Sequence, residues 1–189
     1  MSGSSDREGP APWPRRGSAP GPDLLIAKAR FDELENPRTG DVLKRLVLET
    51  PDWVNVVAFT PERELVVVRQ FRFGTGAITT EIPGGMVDPG EDSRAAALRE
   101  LREETGYTAP RWTYLGAVEP NPAFQDNLCH HWLAEGAERT HELELDAGED
   151  IVVDTLTERE ARDAVRAGEI RHSLVICALA RVIELFPRG

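Results

Sequence analysis

Glu100, Glu103 and Glu104 lie in the stretch EDSRAAALRELREET, which is dense in good helix formers and stops at Gly106, a residue suited to a left-handed helix cap. On a helix turning about 100° per residue, spacings of three and four return to one face, so the three carboxylates converge within an arc of roughly 100°. They also fall in the last turns, where the helix dipole disfavours further anions. Two readings answer that repulsion. In one, Arg99 and Arg102 pair with the glutamates along a solvated acidic helix end. In the other, the carboxylates hold a hard divalent cation whose remaining ligands are water and substrate phosphate, the coordination that suits Mg²⁺. Pro83-Gly84-Gly85 favours the second reading, because glycines let the backbone approach closely and present a carbonyl to the same cluster.

The elements that must position this cluster are short β-type runs before the helix and a mixture after it. LLIAKARF, VLKRLVLET, WVNVVAF and ELVVVRQFRF read as strands separated by turn signals such as Asn36-Pro37 and Arg38-Thr39-Gly40-Asp41. WTYLGAV, HHWLAEG and IVVDTL are strand-like in their turn, and Thr157 with Glu160 forms a capping box that opens a short helix ending at Gly168. SLVICALARVIELF reads as a closing helix with a buried face. The expected architecture is α/β, a mixed β-sheet sandwiched between α-helices, with extra N-terminal strands. Residues 1–22 are rich in Ser, Gly, Pro and charge and read as a disordered tail, leaving residues 23–189 as one domain.

Composition narrows the function classes. A formal charge of −11, with no basic cluster longer than Arg15-Arg16, argues against nucleic acid as a partner. No apolar run reaches the length of a membrane span and no secretory signal opens the chain, so a cytoplasmic protein without a membrane partner is expected. Cys129 and Cys177 have neither CxxC spacing nor histidines at zinc-ligand intervals, which speaks against a disulfide framework or a structural zinc.

From Gly85 the chain resembles the Nudix box: Gly85, Glu91, Arg99, Glu100, Leu101, Glu103, Glu104 and Gly106 match it in identity and spacing. Tyr107 stands where that family usually has an aliphatic residue. The resemblance implies the Nudix fold and hydrolysis of a nucleoside diphosphate linked to another group. It implies that Glu100, Glu103 and Glu104 bind Mg²⁺, or Mn²⁺ in its place, together with the Gly85 carbonyl. Glu91 and Arg99 then form a structural ion pair. Arg69-Gln70-Phe71-Arg72 followed by Glu81-Ile82-Pro83-Gly84-Gly85 looks like the sugar-nucleotide branch, which includes ADP-ribose pyrophosphatases. That likeness implies substrate contacts at Arg72, Glu81 and Pro122, a catalytic glutamate at Glu149, and a homodimer built on the extra strands. The small glycine that usually follows the proline is absent, for the chain reads Asn121-Pro122-Ala123-Phe124.

The expected reaction yields a nucleoside monophosphate and a sugar phosphate, with Glu149, Glu103 or Glu104 accepting the proton from the attacking water. Two rivals stand beside it: a nucleotide-pool sanitising or dinucleoside polyphosphate hydrolase, and a non-catalytic nucleotide-sensing domain. His130 and His131 alternate to opposite faces of a strand and are read as satisfied strand histidines. Trp53 and Phe31 are read as core or dimer aromatics in preference to base-stacking groups.

Overall fold

The computed structural model describes residues 9–145, 148 and 150–186. The chain divides into two compact units, Met1–Thr50 with Asn121–Asp126, and Pro51–Pro120 with Asn127–Gly189.

The first unit is a three-stranded antiparallel sheet, β1 (Arg15–Asp23), β2 (Lys28–Glu35) and β3 (Val42–Glu49), in that spatial order. β1 puts residues 15–22, part of the stretch expected to be a disordered tail, into a strand. Composition measures whether a segment can build its own core, but a strand added to a sheet draws its order from the neighbour's backbone. Side chains reinforce the pairing: Ser18 Oγ donates to Asp32 at 2.7 Å, and Arg16 Nε to Glu35 at 2.6 Å. Pro20 and Pro22 fit because β1 ends the sheet, where a missing N–H costs no ladder bond. The turn between β2 and β3 is where Asn36 and Gly40 were expected to place it, with Gly40 at φ 78° donating to the Asn36 carbonyl.

The second unit runs β4 (Trp53–Phe59), β5 (Glu64–Arg72), β6 (Ala77–Glu81), α1 (Ser93–Thr105), β7 (Tyr107–Thr108), β8 (Arg111–Val118), β9 (Cys129–Glu135), β10 (Glu138–Arg139), β11 (Ile151–Thr157), α2 (Glu158–Ala167) and α3 (Ser173–Leu179). Its main sheet has the order β11-β5-β4-β9-β8, with β6 also paired to β5. β4 and β9 run parallel while the other pairs are antiparallel, so the sheet is mixed. β4 explains the layering. Val54, Val56 and Ala58 face one side and pack with Ala96, Ala97 and Leu101 of α1. Val57 and Phe59 face the other and pack with Ala161 and Val165 of α2 and Val175, Ala178 and Leu179 of α3. Both faces are covered, which is why this run is apolar apart from the buried Asn55.

The helix ends follow from their caps. Asp92 accepts from Arg94 N and Ala95 N and starts α1, and Gly106 at φ 74° ends it. The Thr157–Glu160 capping box opens α2 and Gly168 closes it. The closing helix is shorter than expected. α3 ends at Leu179 and passes into turns through Ile183; Arg181 there donates to the carbonyls of Leu115 and Ala117 on either side of Gly116, while Ile183 and Leu185 still bury in the core.

Candidate active site

β6 ends at Glu81, and Ile82-Pro83-Gly84-Gly85 carries the chain along β4 towards α1. Val56 N donates to the Pro83 carbonyl at 2.8 Å and Val54 N to the Gly85 carbonyl at 2.9 Å. The approach is so close that a Cβ at Gly84 would overlap the Val54 carbonyl, and one at Gly85 would overlap the Glu100 carboxylate. Glycine is therefore a spatial requirement at Gly84, whereas a side chain at Gly85 would displace the Glu100 carboxylate.

α1 turns Glu100 and Glu104 inward and leaves Glu103 more open, its side chain 27% exposed. Glu104 accepts from Gly84 N at 2.9 Å, which fastens the glycine loop to the helix. Arg99 lies among the other acidic groups. It donates to Glu91 at 3.2 and 3.0 Å, to Glu100 at 2.7 Å, to Glu103 at 3.3 Å and to the Met86 carbonyl at 3.0 Å. Its hydrogen bonds hold the Glu91 carboxyl below the usual range. Glu91 and Arg99 are thus joined, and the same guanidinium also spans two of the box glutamates. Arg102 bonds Glu103 at 3.0 Å and pairs with Glu144 at 3.2 Å. With guanidinium between them, the carboxylates do not close on a common point: among the described residues, no three His, Cys, Asp or Glu side chains form a ready cation cage.

A second cluster lines a cavity of about 670 Å³ whose wall includes Gly84, Gly85, Trp53 and Leu174. Glu81 is 2% exposed. It accepts from Arg72 Nε at 2.8 Å, Arg72 Nη2 at 2.7 Å and Thr79 Oγ1 at 2.6 Å. His172 Nδ1 lies 3.2 Å from Glu81 Oε2, at ion-pair distance though not aligned as a hydrogen bond. Burial alone would raise the Glu81 pKa, but Arg72, His172 and Thr79 outweigh it and hold the carboxyl well below the ordinary range.

The other expected positions fall elsewhere. Pro122 belongs to the first unit through the segment 121–126 and does not line this cavity. Glu149 lies outside the described residues. Of its neighbours, Glu144 donates its N–H to the Glu103 carbonyl at 3.0 Å, whereas the Glu142 side chain is fully open to solvent. Trp53 lines the cavity, and Phe31 carries Lys44 over its ring at 4.4 Å.

The two strand histidines differ. His130 is satisfied by Tyr114 at 2.9 Å and Asp52 at 3.2 Å. His131 corrects the reading of both as satisfied, because it is fully buried and neither ring nitrogen has a partner among the described residues. Sequence reasoning passed over Thr79 and His172. Thr79 had a signal, lying two residues from Glu81 on one strand face. His172 had none, because only the fold brings it to Glu81.

The NUDIX domain family matches residues 50–173. The chain is 34% identical over 155 residues to the methanol dehydrogenase activator of Bacillus methanolicus, across 82% of this chain and 83% of that one. It is 37% identical over 140 residues to an ADP-ribose pyrophosphatase of Bacillus subtilis (strain 168), across 74% and 75% respectively. Its fold is similar to the crystal structure of an ADP compounds hydrolase, with a TM-score of 0.81 at 20% identity over 93% of this chain and 94% of that one. The glycine loop and the carboxylate-bearing helix that it serves lie inside the family match, and the chain belongs to the NUDIX family.

Proposed function

We propose that the chain hydrolyses the diphosphate bond of a nucleoside diphosphate sugar, ADP-ribose or a close relative, to a nucleoside monophosphate and a sugar phosphate. Its family makes it a pyrophosphatase; the substrate and the residue roles are the proposal. The observation that carries it is the junction of α1 with the glycine loop, where Glu100 and Glu104 meet Gly84 and Gly85 at the wall of a cavity that also holds Arg72 and Glu81.

The donor set suits Mg²⁺, with Mn²⁺ as a substitute: Glu100, Glu103 and Glu104 supply hard oxygens. The Gly85 carbonyl keeps a second lone pair beyond the bond from Val54, and the Glu100 carboxylate already abuts that glycine. A divalent cation held there would offset the diphosphate charge and acidify a water. Arg99 and Arg102 hold Glu100 and Glu103 by hydrogen bonds, and Glu91 fixes Arg99. Arg72, gripped by Glu81, presents a guanidinium to the anionic substrate. The oxygen of water attacks one phosphorus, the P–O bond to the bridging oxygen breaks, and the proton goes to the carboxylate of Glu149, or to Glu103 or Glu104.

The reading includes a homodimer, supported by exposed apolar side chains at Leu25, Ile26, Phe73 and Ile78. It also includes a cytoplasmic setting free of nucleic-acid and membrane partners. Two free cysteines and the acidic charge support that setting. Among the described residues no helix is long and apolar enough to cross a membrane.

The test is a substrate panel with Mg²⁺ containing ADP-ribose, GDP-mannose, other sugar nucleotides, NADH, CoA and deoxynucleoside triphosphates, read by phosphate release after phosphatase treatment. Fastest turnover on a nucleoside diphosphate sugar supports the proposal. A preference for triphosphates, or no turnover with any compound, overturns it.

A further inference from the structure

We propose that His172 is a positioning residue for the substrate: through Glu81 it sets the direction of the Arg72 guanidinium, so the turn before α3 tunes substrate affinity. The inference rests on the Nudix reading of the cavity given above.

Glu81 has four polar contacts, two from Arg72, one from Thr79 and one from His172. Arg72, Thr79 and Glu81 all belong to the β5–β6 hairpin, where Arg72 pairs with Ala77 and Thr79 with Gln70. These groups can swing together as the hairpin flexes. Of the four contacts, the one from His172 alone comes from outside the hairpin, and it ties the cluster to the helical layer. α3 is itself well anchored, with Leu174, Val175, Ala178 and Leu179 buried. A fixed helix start thus holds a carboxylate, and the carboxylate holds both faces of a fork. A guanidinium gripped at Nε and Nη2 has its plane set, which matters for recognising a diphosphate whose oxygens lie in fixed directions.

A second observation removes the ordinary role for His172. It occupies the position before α3 where a side chain commonly caps the helix, yet its ring makes no capping hydrogen bond. The ring points at Glu81 instead. Both groups line the cavity, along with Arg72.

The isosteric pair His172→Leu and His172→Asn tests this, since they differ in polarity and hardly in shape. Each is assayed with whichever panel compound the wild-type enzyme turns over fastest. A failed sugar-nucleotide reading therefore shows in the wild type, while this inference is still read on any diphosphate compound that is hydrolysed. His172→Leu should raise KM about tenfold with kcat within about twofold, the pattern of a lost binding contact. His172→Asn, which keeps an N–H near the place of Nδ1, should recover most of that loss. In a Glu81→Gln background His172→Leu should add little, because the two act in series. Unchanged KM in His172→Leu, equal losses in Leu and Asn, or full additivity with Glu81→Gln would each overturn the proposal. If His172→Leu does not fold, His172→Phe replaces it in the same comparison with Asn.

Discussion

Arg99 and Arg72 both hold carboxylates near one glycine loop, and they do so in opposite ways. Arg99 spreads its donors over Glu91, Glu100, Glu103 and the Met86 carbonyl, and Arg102 bonds Glu103 and pairs with Glu144. Arg72 spends two donors on the single carboxylate of Glu81, which is almost wholly buried. In the first cluster the Glu103 side chain stays 27% exposed. In the second it is the guanidinium that stays open, Arg72 being 44% exposed over a buried carboxylate with both oxygens matched. The contrast teaches that one fork can do two kinds of work: gripping a single buried carboxylate fixes the plane of the guanidinium, whereas donors spread over several groups tie a loop to a helix end.

The comparison breaks first on turnover. Glu103→Gln or Glu104→Gln should leave the fold intact and lower kcat by at least about 10²-fold at saturating Mg²⁺. Near-normal rates in both would mean that the open cluster is only a solvated helix end.

Stability should split the two arginines. Arg72→Met leaves Glu81 buried beside Thr79 and His172 alone and should cost about 3 kcal/mol, a loss that Mg²⁺ does not repair. Arg99→Met should cost about 2 kcal/mol in EDTA and regain at least half of it in millimolar Mg²⁺, since a cation bound to the folded state stabilises it. Thermal melts with and without Mg²⁺ decide this, and equal Mg²⁺ responses would erase the distinction.

His131 sharpens the same point from the other side, as a buried group without partners. Burial takes its pKa from 6.5 down to about 4, with Arg181 and His130 adding to the effect. The folded state keeps the ring neutral in a range where the unfolded chain binds a proton. Stability from this source is therefore full above about pH 6.5, falls as the pH drops and levels off below about pH 4, by at most about 3 kcal/mol. Denaturant midpoints for His131→Leu should show a flatter slope across that window; an unchanged slope would shift the acid sensitivity to other groups.

The smallest effect is a control that touches neither cluster. Thr157→Ala removes the hydroxyl half of the α2 capping box, leaving the bond from the Thr157 N–H to Glu160, and should cost about 1 kcal/mol with turnover unchanged. A fall in turnover would tie α2 to the site.

Much of the α1 cluster was legible because its chemistry is written at helical spacing. Glu100, Glu103 and Glu104 share a face by periodicity alone, and Gly106 and Thr157 mark helix ends through local backbone preferences. The apolar run of β4 likewise read as a strand. What escaped depends on partners distant in sequence. β1 takes its order from β2, Arg181 reaches β8 only in the folded chain, and Glu81 meets His172 only after the sheet and the helical layer pack. Arg72 read as a substrate ligand from its motif, but that two of its five donors are committed to Glu81 follows from hairpin register.

The turn of Arg181 onto β8 has a consequence for how the molecule behaves in a crowd. β8 is the last strand of its sheet, and a last strand offers unpaired carbonyls and amides to any passing β-segment. Arg181 already occupies the carbonyls of Leu115 and Ala117, and the left-handed Gly116 between them breaks the straight line of the edge. A single side chain just beyond the last helix thus makes the border of the sheet a poor template for aggregation.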